Sequence, residues 1–446
     1  MVPTTAEKLS QILIAKYLAK HEYDAALLNF LKESGLSRSA VDMSSNEFED
    51  LEKIIAERIE FNETKIGARL ANLTLNDAIS PLDPKFNLPS WDHTQKLNTL
   101  ALEEKPTSLA VDLSFTGDSQ LSVSTVDRNV YFYGSDLSLA KKLKSNSGVV
   151  KRCGTFSRGN EMWYYVCGMN GNLTIFDGNF DIQVEHQLHS RIVKNIEFFH
   201  LTKDSKCYCF SSGLDNYVKV HLIDLENFEI TPVVSLKLTT PCTSFQLAQT
   251  QEELPTLLLT HQDYSQLVIY VLHGNQLVET HKLAMNNAQF SSHSFNVQSS
   301  CILNFGDENN TTSGESPNHH LPTLRNGSMV AVATSHVPYM RVILLEVPEI
   351  GLHSASQIYY DKILRNMATM IPQDSFSSAI LKTCQQPGGL IVGSDSGVYG
   401  IDVANCDSWL LVQGERRVKA IDSFQDQLAI AYGNSELEVL YWRQEA

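Results

Sequence analysis

The stretch MWYYVCGMNGNLTIFDG, residues 162–178, decides the reading of the chain. An apolar run through Cys167 gives way to the turn formers Gly168, Asn170 and Gly171, and a second run ends on the bulky Phe176. Two short strands around a tight turn are the simplest element with this pattern. The same unit recurs as QLSVSTVDRNVYFYG at 120–134, YCFSSGLDNYVKVHLID at 208–224 and LPTLLLTHQDYSQLVIYVL at 254–272. It returns as MVAVATSHVPYMRVILLEV at 329–347, GGLIVGSDSGVYGIDV at 388–403 and QLAIAYGNSELEVLYWR at 427–443, which makes seven copies.

With Val130, Leu173, Val218, Leu267, Val342, Val398 and Leu437 as equivalent points, most intervals approach the roughly 40–50 residues of a four-stranded propeller blade. The longest interval contains a polar insertion near 305–327. A strand-like segment precedes each unit, as in SLAVDLSF, IVKNIEFF and VKAIDSF. The expected fold is therefore mainly β: a seven-bladed β-propeller over 92–446. The seventh unit lacks an outer strand after residue 443, and QKLNTLALEE at 95–104 is expected to supply it and close the ring, hiding an open edge.

The first 75 residues follow a helical period instead. Leu9, Ile12, Leu13 and Tyr17, then Ala26, Leu27, Phe30 and Leu31, predict two helices broken at His21-Glu22, with Gly35 closing the second. Ser44, Ser45 and a carboxylate-rich turn predict a further helix within 41–75, striped by Phe48, Leu51, Ile55, Ile59, Ile66 and Leu70. Prolines 81, 84 and 89 mark 76–91 as a linker.

The chain has 446 residues and a formal net charge of -16. That balance argues against a general nucleic-acid binder, because phosphate contacts need a positive face. The N-terminus has charges at Glu7, Lys8, Lys16 and Lys20 where a secretion signal needs an apolar core, and no apolar run is long enough for a transmembrane segment. The eight cysteines show no CxxC spacing, as expected of reduced thiols in a cytoplasmic or nuclear protein.

MNGNLTIFD and LDNYVKVHL resemble the end of a WD repeat, with Phe176-Asp177 standing where Trp-Asp would, and Tyr133, Tyr270 and Ile401-Asp402 at the matching places elsewhere. That resemblance implies a polar network of His189, Ser212 and Asp215 in the third unit. Leu13, Tyr17-Leu18, Tyr23, Ala26, Phe30 and Glu33 are similar in spacing to the LisH motif, with Glu22 where the family normally has glycine. The resemblance implies an N-terminal α-helical LisH-type module at 1–40 that makes a homodimer. Two such helices cannot bury their own apolar face. Leu13, Tyr17, Leu18, Tyr23, Ala26, Leu27 and Phe30 are the expected pairing residues, and docking of the same stripe on the chain's own propeller is the other way to cover it.

No residues form a convincing catalytic set, and no cofactor or metal is expected. GSDSG at 393–397 has Asp395 at the centre where a hydrolase elbow needs serine, and reads as a blade turn. His319-His320 lacks further ligands, Cys207 and Cys209 alternate into a core, and Phe156-Ser157-Arg158-Gly159 lacks the second arginine of a phosphoinositide motif. Lys141, Lys142, Lys144, Lys151 and Arg152 make the first two units locally basic, suited to a solvated edge or to an acidic ligand. The turns before the third strands should share one face with the connections between blades, so Asp127, Arg128, Asn170, Asp215, Asn216, Asp263, Tyr264, Asp395 and Asn434 should ring a partner-binding rim. The expected function is a non-enzymatic scaffold or adaptor that binds protein subunits of a larger complex. The alternative is an acidic chaperone for a basic client such as a ribosomal or histone protein.

Overall fold

A computed structural model describes residues 6–41, 51–52, 54–55, 82–83, 85–86, 88–116, 120–146, 148–158, 161–201, 205–285, 295–303, 321–351, 356–412, 414 and 416–444. The chain divides into two compact units, Met1–Pro81 and Leu82–Ala446.

In the first unit, α1 (Ala6–Lys20) and α2 (Asp24–Ser34) pack against each other around Ala15, Leu27 and Leu31, with Leu18 and Phe30 against that cluster. The turn between them places Glu22 at φ 57°, a left-handed conformation that favours glycine. Backbone bonds from Tyr23 N to Leu18 O at 3.0 Å and from Leu27 N to Tyr23 O at 2.9 Å hold the turn. Gly35 ends α2 at φ 68°. Residues 51–52 and 54–55 are helical, and Glu52 accepts hydrogen bonds from Lys20 Nζ at 2.5 Å and His21 Nε2 at 2.7 Å. Phe48, Ile59, Ile66 and Leu70 lie outside the described residues.

In the second unit, the described strands form seven sheets. The first sheet runs Ala110–Phe115, Leu121–Thr125, Asn129–Tyr133 and Leu139–Lys144, each strand antiparallel to the one before. The next five begin with Val150–Arg158, Val193–His200, Cys242–Thr250, Val297–Leu303 and Ile380–Cys384. The seventh begins with Val418–Phe424 and continues through Gln427–Tyr432 and Leu437–Gln444. Its fourth strand is Gln95–Leu100, which pairs antiparallel with Leu437–Gln444, Leu97 opposite Trp442. One sheet thus takes strands from both ends of the unit.

The first strand of every sheet packs against the first strands of two neighbours, and the seventh returns to the first, so the innermost strands form a closed ring. Apolar clusters fill the spaces between adjacent sheets. Val130 and Phe132 meet Tyr164 and Val166 between the first and second, and Phe156, Cys207 and Cys209 lie between the second and third. Strands buried on both faces lose the polar alternation of a half-exposed strand; Leu257, Leu258 and Leu259 are all fully buried.

Two expectations are corrected. The end of the stretch read as a linker, 76–91, is anchored in the second unit. Phe86 is buried with Leu303 and Met367, and Trp91 with Cys384 and Leu440. Asp402 accepts from Trp91 N at 3.2 Å and Ser90 Oγ at 3.3 Å, and Lys85 Nζ pairs with Glu346 at 2.8 Å. The insertion near 305–327 is not polar loop to its end, because Leu321 and Leu324 are buried and Thr323–Leu324 adds a parallel strand beside Cys242–Thr250. Gln357–Tyr359 extends the opposite edge of that sheet, which therefore has six strands.

Candidate partner-binding face

The turn between the second and third strands of a sheet lies against the connection that leads into a first strand, and backbone hydrogen bonds join them. Leu188 N donates to Gly171 O at 3.0 Å, Leu214 N to Ile192 O at 2.9 Å, Gln262 N to Pro241 O at 2.9 Å and Gly433 N to Arg417 O at 2.8 Å. Turns and connections therefore share one face. Tight approach is built in at Gly171, with φ 91°, where a Cβ would stand 2.6 Å from Arg191 O and closer still to His189 O.

Asp127 accepts from Thr125 Oγ1 at 2.5 Å and Asn129 Nδ2 at 2.7 Å. Burial pushes its carboxyl upward, but hydrogen bonds from Thr125, Ser108 and Asn129 hold it below the usual carboxylate range. Arg128 follows at φ 70° and is exposed. Asn170 and Asn434 each accept a backbone N–H within their own turn, from Asn172 at 3.2 Å and Glu436 at 3.2 Å. Asp395 pairs with Arg417 Nε at 2.7 Å, so the GSDSG segment is tied to the neighbouring connection. Asp263 N donates to Asn296 Oδ1 at 2.8 Å, and the Tyr264 ring stacks on His261 at 4.4 Å. Asn216, at φ 63°, accepts Leu238 N through its carbonyl at 2.8 Å and keeps a buried side-chain oxygen without a hydrogen bond. The rim residues thus fall on turns of this face, but many of their polar atoms hold the turns.

Asp215 centres the polar network of the third sheet. His189 Nδ1 lies 2.9 Å from it, Ser190 N donates to it at 3.0 Å, and His189 Nε2 meets Ser211 Oγ at 3.0 Å. The serine is Ser211, not the expected Ser212, which instead accepts from Asn195 Nδ2 at 3.0 Å. Burial lowers the His189 pKa even though Asp215 opposes it.

Inside the ring, a 470 Å³ cavity is lined by residues of all seven first strands, among them Ser114, Thr155, Glu197, Gln246, Lys382 and Asp422. Asp422 takes Phe115 N at 2.8 Å and Lys382 Nζ at 2.7 Å, while Arg152 bridges Asp112 and Lys194 O. The Glu197 side chain is exposed on the channel wall, yet the surrounding protein desolvates it and pushes its carboxyl up to about 7, with Lys382 opposing and Asp422 reinforcing. The five-residue basic group divides: Lys141, Lys142 and Lys144 lie on the outermost strand of the first sheet, where Lys142 pairs with Glu104 at 2.6 Å, while Lys151 and Arg152 lie on an innermost strand. Sequence reasoning passed over Lys194 and Lys419. Aligning the second residue of every first strand would have found them.

All eight cysteines are unpaired thiols. Cys207 and Cys209 are fully buried, and burial raises the Cys209 thiol. Among the described residues no cluster of three or more His, Cys, Asp or Glu side chains could hold a metal ion, and no described helix is long and apolar enough to cross a membrane. His319-His320 lies outside the described residues.

A closed ring of mainly antiparallel sheets around a channel defines a class, and the chain belongs to it: residues 73–443 match the family described as a beta-propeller domain. Uncharacterized protein YGR117C of Saccharomyces cerevisiae is similar along nearly the whole length, with 29% identity over 470 aligned positions, covering 97% of this chain and 96% of that protein.

Proposed function

We propose that the chain is a seven-bladed, WD-repeat-like propeller acting as a non-enzymatic scaffold or adaptor in the cytoplasm or nucleus, recruiting protein subunits of a larger complex. The observation that supports this reading is the broad face on which turns and connections from around the ring meet. A rigid surface assembled from distant parts of the sequence suits recognition of a protein. The same face exposes apolar side chains, with Val126 and Met169 on turns and Phe376 on a connection, the last 88% exposed. Single exposed apolar groups are ordinary, but these three share a face with the turns and connections, where they are available to a partner.

The N-terminal helices serve as a LisH-type pairing module in this proposal. Leu13 and Leu27 are buried and Tyr17, Leu18 and Phe30 half-buried, leaving Tyr23, at 52% exposed, Ala26, Ile14 and Leu28 for the pairing contact. Two propellers on one dimer would give avidity toward a repeated target. The test is quantitative affinity purification of the full chain against a Val126→Glu, Met169→Glu, Phe376→Glu variant. A fixed set of proteins should be recovered with the native chain and fall by at least about tenfold with the variant; equal recovery would remove the face from the account.

A further inference from the structure

Six of the seven first strands slip register against their second strands at one place: Ala110/Asp112, Val150/Arg152, Val193/Asn195, Cys242/Ser244, Val297/Ser299 and Val418/Ala420. A bulge re-aims the residue it loops out. Here that residue is always the second of its strand: Val111, Lys151, Lys194, Thr243, Gln298 and Lys419. The strands pack side by side in the ring, and each bulge directly follows the connection entering its strand. The six residues therefore occupy one level, at the channel end that carries the turns.

Three of the six are lysines, in a chain whose net charge is -16. Lys194 is engaged, its Nζ donating to Cys242 O of the next sheet. Among the described residues Lys151 and Lys419 make no ion pair. Lys151 is partly buried, and that burial, with the like charges of Arg152, Lys194 and Lys419, works against its protonation; Asp112 opposes this but is already held by Arg152. Carboxylates of the turns are committed as well, Asp127 to Thr125 and Asn129, Asp215 to His189, and Asp395 to Arg417. A ligand carboxylate at this mouth would relieve the repulsion among these like charges that Asp112 offsets only in part. Val126 and Met169, on the turns of the first and second sheets, add exposed apolar surface in the same sector.

We infer that this channel mouth docks an acidic peptide segment of a partner protein, with carboxylates on Lys151 and Lys419 and apolar side chains on Val126 and Met169. The inference rests on the partner-recruiting reading and gives the partner a charge sign, opposite to that of a basic client.

The experiment is display selection of random twelve-residue peptides on the full chain, followed by affinity measurement of the enriched sequences. Enriched peptides should be rich in Asp and Glu with interspersed apolar residues. Binding to Lys151→Glu, Lys419→Glu should weaken by at least about tenfold, and raising salt should weaken binding to the native chain. Lys151→Gln, Lys419→Gln, checked for an unchanged thermal midpoint, should weaken binding by a smaller factor and so separates charge from misfolding. Enriched peptides that lack acidic residues, or that bind both variants as tightly as the native chain, overturn the inference while leaving peptide recruitment standing. A selection that enriches nothing overturns both.

Discussion

Replacing Trp91 with alanine should unfasten the segment that leads into the ring. Its indole is only 5% exposed and meets Trp409 edge-on at 4.9 Å and Trp442 at 5.6 Å. Gly389 and Gly400 make room for it, since a Cβ there would stand 2.7 Å from Trp91 Cε3 and 3.2 Å from Trp91 Cη2 respectively. Truncation of a buried Trp to Ala costs about 3–5 kcal/mol, and lost edge-to-face pairs place this site in that range. Set against a usual stability of about 5–15 kcal/mol, that is a large fraction. Urea unfolding followed by far-UV circular dichroism measures the loss without depending on the deleted fluorophore. Trp91→Phe, which keeps an aromatic ring, should lose less. A cost below about 1 kcal/mol for Trp91→Ala would refute the anchoring of Trp91 in the ring.

Gly171→Ala should destabilise by about 1–3 kcal/mol in the same assay, because a Cβ collides with backbone carbonyls of the adjoining connection. Burial, with the nearby charges of His186, Lys219 and His189, holds His221 down to about 4, whereas an unfolded histidine titrates near ~6.5. The folded value is the lower one, so the unfolded chain binds the extra proton: stability is full above ~pH 6.5 and falls by roughly 3 kcal/mol as pH drops from there to about 4. Thermal midpoints of the native chain and His221→Asn across that window should converge at low pH; parallel curves would contradict the assignment. Tyr23→Asp should convert a dimer to a monomer by light scattering at unchanged helicity, since the side chain is exposed before pairing and a charge there would be buried by it; an unchanged mass would remove Tyr23 from the pairing face.

The repeat was legible because each unit writes the same physical pattern, an apolar strand, a turn and a second apolar strand, at a near-constant interval. The docking of Phe86 and Trp91 was not: Pro84 and Pro89 signal interrupted structure, while nothing local reveals that Phe86 and Trp91 fill gaps between sheets far away in the sequence. The sequence points to Ser212 instead of Ser211 because the strand Lys206–Gly213 is buried toward its end on both faces, where alternation no longer tells which serine faces His189. The polar turn residues are legible as turn formers, but their commitment to closing turns depends on contacts that the sequence does not show. The lysines at the bulges were hidden for a different reason: each is one residue in a strand, and their common level exists only once the ring closes.

The most direct test of the account is amine-reactive crosslinking of the full chain with the proteins it recovers, read by quantitative mass spectrometry. The account predicts that partner peptides crosslink to Lys151 and Lys419 at the channel mouth, and that these links disappear with the Val126→Glu, Met169→Glu, Phe376→Glu variant. Partner links confined to the outer strand, at Lys141, Lys142 and Lys144, with the variant behaving as the native chain, would contradict recruitment on this face.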